Sequence, residues 1–368
     1  MRRLRRLLPL VGLSAILLVA CDAAPGPTPG PTLTASQAGQ STSAGLAEVK
    51  TYLVDKATRL DAEVDPLRTA ADAYYKLAQA ADFDYAKLWN TQREQTSKAV
   101  VDARAAWESA SPEYERMEGI VAGVPSLAQY DVILDAGASG AEGGESVVPF
   151  DLTLPDGRVL ARPGNLFGVV ESTLWGTFAD FAVPDVAADY DGDGKVGFGE
   201  TLPDANVLKS AAEAMDKYTG DLLKDAQAWE PTAAEAFGAL VANVPTVGDF
   251  FGSWKASRFV LGDASQQRDF AVISRLSDIV DNVSSWQAIY GGLSPMAQSV
   301  DTATDAQITE GLTNLKAFVA GLFAQEQDGK RFTPEEADGL SAQAEDRATA
   351  IVGQISQVAA QLKIDIQE

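Results

Sequence analysis

Apolar side chains recur every three to four residues along most of the chain beyond residue 45, which is the spacing of one face of a helix. The first such stripe runs from Leu53 to Ala78 and continues through Pro66, which predicts one kinked helix rather than two. A second stripe, from Tyr85 to Ala110, predicts another long helix. Because helical spacing dominates most of the chain, the predicted fold is all-α.

A third, shorter helix is predicted after Ser111 and Pro112, which suit the N-cap and the first helical position. Two acidic side chains lie beside its apolar face, with Glu118 at the edge of that face and Glu115 one step further round. The apolar face itself comprises Tyr114, Met117, Val121 and Val124.

The segment from Asn165 to Gly176 predicts a helix in which an acidic residue falls inside the apolar stripe. That residue is Glu171, and the stripe comprises Phe167, Val170, Leu174, Phe178 and Phe181. We therefore expect Glu171 to be buried, and a buried carboxylate needs a hydrogen-bond donor, a basic group or a metal. A core glutamate tied to an arginine or to a tryptophan indole is the simplest alternative to a ligand.

Between these helices lies an insertion, residues 137–164, rich in glycine, alanine and glutamate. Its stretches Val147 to Leu154 and Arg158 to Arg162 flank Pro155-Asp156-Gly157, which predicts a small hairpin, either over the mouth of a cleft or decorating the surface. Six further helices are predicted, and Thr333 to Glu336 forms a capping box for the last of them. They run from Asn206 to Ala228, Pro231 to Leu240, Phe250 to Phe259, Asp269 to Tyr290, Asp305 to Gln327 and Pro334 to Leu362.

A twelve-residue acidic loop, from Asp189 to Glu200, has the ligand spacing of a calcium-binding EF-hand. Carboxylates of Asp189, Asp191, Asp193 and Glu200 fall at positions 1, 3, 5 and 12, and Lys195 supplies its carbonyl at position 7. Glycine stands at position 6 and an aliphatic residue at position 8. Prolines close to both ends of the loop argue against the long paired helices of a calcium sensor, so the pattern predicts a structural calcium site.

The first twenty residues predict an export signal, with a basic start and an apolar stretch that is too short to span a membrane in the mature protein. They end in Leu-Val-Ala-Cys21, which resembles the cleavage box of bacterial lipoproteins, and Cys21 is the only cysteine in the chain. The resemblance implies that Cys21 carries a lipid and anchors the protein to a membrane of the cell envelope. Residues 21–45 are rich in Pro, Gly, Ser and Thr and predict a disordered tether.

Charge and composition narrow the chemistry of the remaining helical body. The chain has 52 acidic and 29 basic residues, a net charge of −23 that disfavours nucleic acid as a partner. It contains no histidine, which excludes Ser-His-Asp and Cys-His catalysis and histidine-based metal sites. Any metal must then be held by oxygen, and oxygen ligands suit hard cations such as Ca²⁺ and Fe³⁺.

Two motifs in this order, Tyr114-Glu-Arg-Met-Glu118 and Glu171-Ser-Thr-Leu-Trp-Gly176, resemble the imelysin-like family, which includes EfeO-type periplasmic iron-uptake proteins. The likeness covers roughly Leu46 to Ile366 with gaps. It implies two four-helix-like bundles with a metal-binding cleft between them.

The resemblance makes Glu171, Glu118 and Glu115 candidate ligands in that cleft, followed by Asp131 or Asp135. The family carries Gly-x-His-x-x-Glu, whereas this chain has Leu166 and Gly168 at the first two of these positions and keeps only the glutamate.

Three functions fit these features. The first is a lipid-anchored metal-binding component of iron uptake that meets an iron permease or another envelope protein, with calcium as a structural ion. The second is an envelope structural or interaction protein with a degenerate metal site and no catalytic role. The third is a peptidase, which the absent histidine disfavours because hydrolysis needs an activated water and a general base.

Overall fold

The structure is a computed structural model that describes residues 35–137 and 150–366, except for the side chains of residues 35–42, 184 and 185. Cys21, the predicted export signal and the first part of the predicted hairpin strand lie outside the described residues. The elements that it describes are the helices α1 (Ala35–Ala80), α2 (Tyr85–Thr91), α3 (Arg93–Val121), α4 (Ala128–Asp131), α5 (Leu166–Trp175), α6 (Ala205–Ala228), α7 (Ala233–Asn243), α8 (Val247–Ala256), α9 (Arg258–Leu261), α10 (Arg275–Val300), α11 (Thr302–Gln327) and α12 (Pro334–Leu362), and the strands β1 (Asp151–Thr153), β2 (Val159–Ala161), β3 (Ala182–Ala187) and β4 (Thr201–Pro203).

The helices pack in two groups that share α10. Helices α1, α3 and α6 form the first group with α5, and α7, α8, α11 and α12 form the second. Helix α10 packs against α1 and α3 on one side and against α11 and α12 on the other. The all-α fold predicted from the sequence is confirmed, and the buried side chains of both groups make one continuous core in the described part of the chain.

The helix predicted to begin at Ser111 and Pro112 does not begin there. Helix α3 runs from Arg93 through Pro112 to Val121 without a break. Proline removes one backbone hydrogen bond from a helix, but Ala110 and Tyr114 on either side of it are fully buried, so packing against the neighbouring helices outweighs the loss.

Other helix boundaries differ from the prediction as well. The helix predicted from Tyr85 to Ala110 is divided at Gln92 into α2 and α3. Helix α1 begins at Ala35, so residues 35–45, predicted as part of the tether, are helical. Helix α10 begins at Arg275 rather than at Asp269 and continues past Tyr290 to Val300. The residues between α9 and α10 are therefore free to form a loop, which proves to be part of the candidate site.

The described part of the chain contains two small hairpins where the sequence predicted one. Strands β1 and β2 pair antiparallel around the predicted turn, as expected. Strands β3 and β4 pair as well, with Ala182 opposite Pro203 and Ala187 opposite Thr201, and the acidic loop from Asp189 to Glu200 connects them. Prolines near both ends of the loop argue against strands, yet each strand of a two-stranded ribbon has a free edge on which a missing N–H is tolerated.

Helix α5 is buried along its whole length, from Leu166 to Trp175. The side chain of Asn165 caps its first turn by accepting a hydrogen bond from the amide of Gly168, and Gly176 ends it in the left-handed conformation, at φ 66°. Phe178 and Phe181 of the predicted stripe lie beyond this end, although Phe181 is still buried.

Candidate metal centre

Five carboxylates converge where α3 and α10 face the turn that follows α4. Glu115 and Glu118 stand three residues apart on one face of α3, Asp131 ends α4, Asp135 lies in the π-helical turn of residues 132–136, and Asp278 comes from α10. Carboxylate oxygens of Glu115, Glu118 and Asp135 all lie within 4.8 Å of one another, close enough to share one metal ion.

Hydrogen bonds from polar neighbours hold most of these carboxylates in place. The side-chain amide of Asn282 donates to Glu115 at 2.7 Å and to Glu118 at 2.6 Å, and the hydroxyl of Tyr114 donates to Asp131 at 2.7 Å. Asp135 is only 5% exposed, and it accepts no hydrogen bond from the described residues. A buried carboxylate without a hydrogen-bond donor lowers the stability of the fold unless another group compensates its charge.

Among the residues that the structure describes, Arg275 is the basic residue within this cluster. Its guanidinium donates to Asp278 at 2.8 Å and to Glu115 at 3.4 Å, and it lies over the rings of Phe250 and Phe270 at 4.2 and 3.7 Å from their centroids. One guanidinium cannot neutralise five carboxylates, so the cluster must hold either protons or a cation.

Burial raises the pKa of the carboxyls, and their mutual repulsion adds to the effect. The pKa of Glu118 rises to about 7 through burial and then through the charge of Asp131. That of Asp131 also rises to about 7, and that of Asp135 rises to about 8 through burial and the charge of Glu118. Near neutral pH the cluster therefore retains protons unless a cation replaces them.

An open cavity of about 860 Å³ gives access to these carboxylates. Glu118, Asp135 and Arg275 are among its lining residues. Residues 266–270 line it as well, and they belong to the loop of residues 265–274, which we call the strap. A cavity of this size falls within the range of small-ligand pockets.

Glu171 is buried as predicted, at 1% exposure, but it is not part of the carboxylate cluster. Its carboxylate accepts hydrogen bonds from three consecutive backbone amides of the strap, those of Phe270 at 2.7 Å, Ala271 at 2.8 Å and Val272 at 3.0 Å. Burial, followed by the charge of Asp269, raises the pKa of Glu171 to about 8 in spite of these three donors. The partner of Glu171 is therefore neither an arginine nor a tryptophan indole, which was the simplest alternative. The sequence gives no signal for backbone donors.

The acidic loop brings its first three carboxylates together. Oxygens of Asp189, Asp191 and Asp193 lie within 4.8 Å of one another, and Gly194 at position 6 has the positive φ, 79°, that the turn requires. Glu200 is not in that group, because its carboxylate accepts hydrogen bonds from the amides of Tyr190 and Gly197.

Hydrogen bonds hold the loop internally and attach its end to the fold. Its Lys195 amide donates to Asp193 at 2.7 Å. Arg104 of α3 donates to the carbonyl of Leu174, at the end of α5, at 2.7 Å and also to the carbonyl of Gly199 in the loop. The loop is thus attached to the helix that carries Glu171.

The sequence from residue 49 to residue 363 matches the profile of the family described as Imelysin, which is also named as a peptidase family. The chain belongs to the imelysin family. A search of curated proteins found no match. The matched range includes both groups of helices, the carboxylate cluster and the acidic loop of this imelysin-family protein.

Three contributors to the cluster were missed in the sequence, namely Arg275, Asp278 and Asn282. They stand at positions i, i+3 and i+7 on α10, so they share the face of this helix that packs on α3. This spacing of polar residues inside a buried helix was the available signal.

The first hairpin packs on α6 rather than beside the carboxylates. The hydroxyl of Ser210 in α6 donates to the carbonyl of Thr153, and Arg158 pairs with Asp204 at 2.6 Å. The described part of the hairpin does not line the cavity, which favours the surface alternative for these strands.

Within the ranges that the structure describes, no helix has the length and apolar character needed to cross a bilayer.

Proposed function

We propose that this imelysin-family protein binds a hard cation in the cleft through Glu115, Glu118 and Asp135, as a component of iron uptake at the cell envelope. The observation that carries the proposal is Asp135, a buried carboxylate without a donor among the described residues, placed beside two further carboxylates. A cation supplies the positive charge that this arrangement lacks.

The chemistry of the ligands favours a hard ion. All candidate ligand atoms in the cluster are carboxylate oxygens, and the sequence offers no histidine. Oxygen-only sites suit Ca²⁺, Mg²⁺, Mn²⁺ and ferric iron, whereas soft ions prefer thiolate or thioether ligands. Ferric ion gains most from a cluster with several negative charges, because the Coulomb attraction scales with the charge of the ion.

Replacing two of the three ligands should remove binding in the cleft. We expect the double variant Glu118→Gln, Asp135→Asn to bind Fe³⁺ and Mn²⁺ at least about tenfold more weakly than the wild type, or about 1.4 kcal/mol. Isothermal titration of calcium-saturated protein measures this, with ferric ion supplied from a weak chelator. Glu94→Gln, an exposed residue on the same helix α3, is the matched control. Equal affinity in the double variant and the control would refute the cleft site.

We also propose that the loop from Asp189 to Glu200 holds a structural Ca²⁺. Support comes from its ligand spacing, the grouping of three aspartates and the placement of the loop between two short strands rather than two long helices. The bound ion would cancel the repulsion among the aspartates. Through Arg104 it would also stiffen the connection between the loop and the end of α5.

Removal of calcium should lower the melting temperature. At a Kd of about 10⁻⁵ M and a hundredfold excess of free Ca²⁺, binding stabilises the fold by about 2.7 kcal/mol, or a few degrees in a chain of this size. Asp189→Ala should abolish the shift, while Lys195→Ala should preserve it because position 7 contributes only a carbonyl. A melting curve that responds neither to chelator nor to Asp189→Ala would show that the loop is an ordinary acidic turn.

We infer a lipid anchor at Cys21 from the cleavage-box resemblance and from the absence of any other cysteine. Wild-type protein should fractionate with membranes, and Cys21→Ala should appear in the soluble fraction. Equal membrane association of both proteins would contradict the anchor.

A specific observation favours the second function, a non-catalytic structural or interaction protein. Both oxygens of Glu171 are engaged by strap amides, and Arg275 already compensates part of the charge of the cluster. Elemental analysis of the purified protein separates the two functions, because calcium alone would favour the structural function and co-purifying iron the transport function. In both of these proposed functions, the protein acts by binding an ion or a partner and not by hydrolysing peptides.

A further inference from the structure

The strap is fixed to α5 on both sides of Asp269. On the preceding side, the hydroxyl of Thr177 donates to the carbonyl of Arg268 at 2.5 Å, and the guanidinium of Arg268 donates to the carbonyl of Pro163 at 2.6 Å. On the following side, the amides of residues 270–272 donate to Glu171. Polar contacts thus lie on both sides of Asp269, and α5 and the turns that flank this helix determine its position.

Gly168 makes room for the carboxylate of Asp269. A Cβ atom at position 168 would lie 2.6 Å from Cγ and from Oδ2 of Asp269, a separation that real Cβ atoms essentially never show. Glycine inside a helix is less favourable than alanine by about 1 kcal/mol, and at position 168 it leaves open the space in which the carboxylate of Asp269 lies. The carboxylate rests directly against the helix backbone where a side chain would otherwise stand.

Asp269 lines the cavity from which the carboxylate cluster is reached, outside the group of three carboxylates that lie within 4.8 Å of one another. It lines the same cavity as Glu118 and Asp135, and its side chain is 19% exposed. Its charge contributes to the raised pKa of both Asp135 and Glu171, so it lies near both carboxylates. The neighbouring Arg268 approaches Asp269 at 3.3 Å but also donates to Pro163.

We propose that Asp269 is a further ligand of the cation in the cleft, that Gly168 and Glu171 are its positioning residues, and that it sets a preference for trivalent over divalent cations. This inference rests on the proposed cation site and adds the class of ion that the site selects. Glu115, Glu118 and Asp135 come from helices and the turn after α4, whereas Asp269 comes from the strap. A fourth carboxylate attracts a trivalent ion about 1.5 times as strongly as it attracts a divalent ion at the same distance.

The test compares Fe³⁺, supplied from a weak chelator, with Mn²⁺ on calcium-saturated full-length protein. Asp269→Asn should weaken Fe³⁺ binding at least about tenfold and Mn²⁺ binding by a smaller factor. Gly168→Ala keeps every charge but displaces the carboxylate, and it should also weaken Fe³⁺ binding more than Mn²⁺ binding. Asp263→Asn is the control, because it lies close to the strap with a side chain that is 96% exposed. Thermal melts of each variant establish that it is folded.

The outcomes separate this inference from the proposed function. If Asp269→Asn and Gly168→Ala both match the control while Glu118→Gln, Asp135→Asn loses binding, the role of Asp269 is refuted and the cleft site stands. If Asp269→Asn weakens both ions by the same factor, the proposed selectivity is refuted. If the wild type binds neither ion, the cleft site and this inference fall together.

Discussion

Glu171→Ala is expected to lower the free energy of unfolding by at least about 3 kcal/mol, because it leaves three strap amides without an acceptor. Each unsatisfied buried donor costs about 1–3 kcal/mol, and water that enters the space recovers part of the loss. Glu171, which accepts these hydrogen bonds, is 1% exposed, and Ala271 is itself buried, so solvent has little access to them in the native fold. Urea unfolding at constant pH and saturating calcium measures the change.

Glu171→Gln provides the graded comparison for this prediction. Glutamine keeps one acceptor oxygen, but its amide group turns a second donor toward the strap, so we expect a loss between the wild type and the alanine variant. An exposed substitution on α3, Glu94→Ala, should change the free energy of unfolding by less than about 0.5 kcal/mol. The three hydrogen bonds from strap amides to Glu171 are called the clasp below. A loss below about 1 kcal/mol in Glu171→Ala would mean that the clasp contributes little to the stability of the fold.

Glu171 also shows how far the sequence alone could reach. Its burial follows from its place in an apolar stripe at helical spacing, and the structure confirms it. Its partners lie about a hundred residues further along the chain and are backbone amides, which any residue other than proline could supply. No residue type marks such donors, so a stripe can predict that a partner exists but not what it is.

The carboxylate cluster was predictable in part for a similar reason. Glu115 and Glu118 were identified from their spacing and from the family resemblance. Asp278 and Asn282 were not, although both fall within the helix predicted from Asp269 to Tyr290. That prediction also placed residues 269–274 of the strap inside the helix. The true boundary at Arg275 is set by Ser274, whose side chain caps the first turn of α10.

The break before α10 matters for function as well as for prediction. It frees residues 265–274 to lie along α5, and Phe270 adopts a left-handed backbone conformation there, at φ 57°. Such a conformation is uncommon for a bulky residue and persists only where surrounding contacts hold it. The clasp by Glu171 is such a contact, because it engages the amide of Phe270 itself.

Without a bound cation, the protein should become less stable as the pH rises from 5 to 8. Several buried carboxyls have raised pKa values in the folded state, among them about 7 for Glu118 and Asp131 and about 8 for Asp135 and Glu171. In the unfolded chain they ionise near pH 4. Between pH 4 and these values the folded state binds more protons, so the free energy of unfolding falls as protons are removed, by up to about 1.4 kcal/mol per pH unit for each group.

The other shifted groups either act in the same direction or change protonation outside this pH window. Burial raises the pKa of Glu115 and of Asp278 as well, so these two carboxyls add to the trend. The carboxylates whose pKa is lowered in the folded state, such as Asp72 and Asp301, change protonation below about pH 4. The pKa of Arg275 is raised by its carboxylate neighbours, so it stays charged throughout. General repulsion in a chain with a net charge of −23 acts in the same direction as the cluster, which makes a variant necessary to separate the two.

Asp135→Asn is that variant, because it removes one of the groups that must give up a proton. In the presence of a chelator it should stabilise the protein at pH 8 relative to the wild type and leave the stability at pH 5 nearly unchanged. Mn²⁺ in excess should reverse the trend in the wild type, since a bound cation replaces the protons, and should have little effect on the variant. Urea unfolding at several pH values measures all three. A stability that is flat or rising from pH 5 to pH 8 in chelator would show that the carboxylates are ionised in the fold without a cation, and that the charge of the cluster is compensated by Arg275 and its hydrogen-bond donors alone.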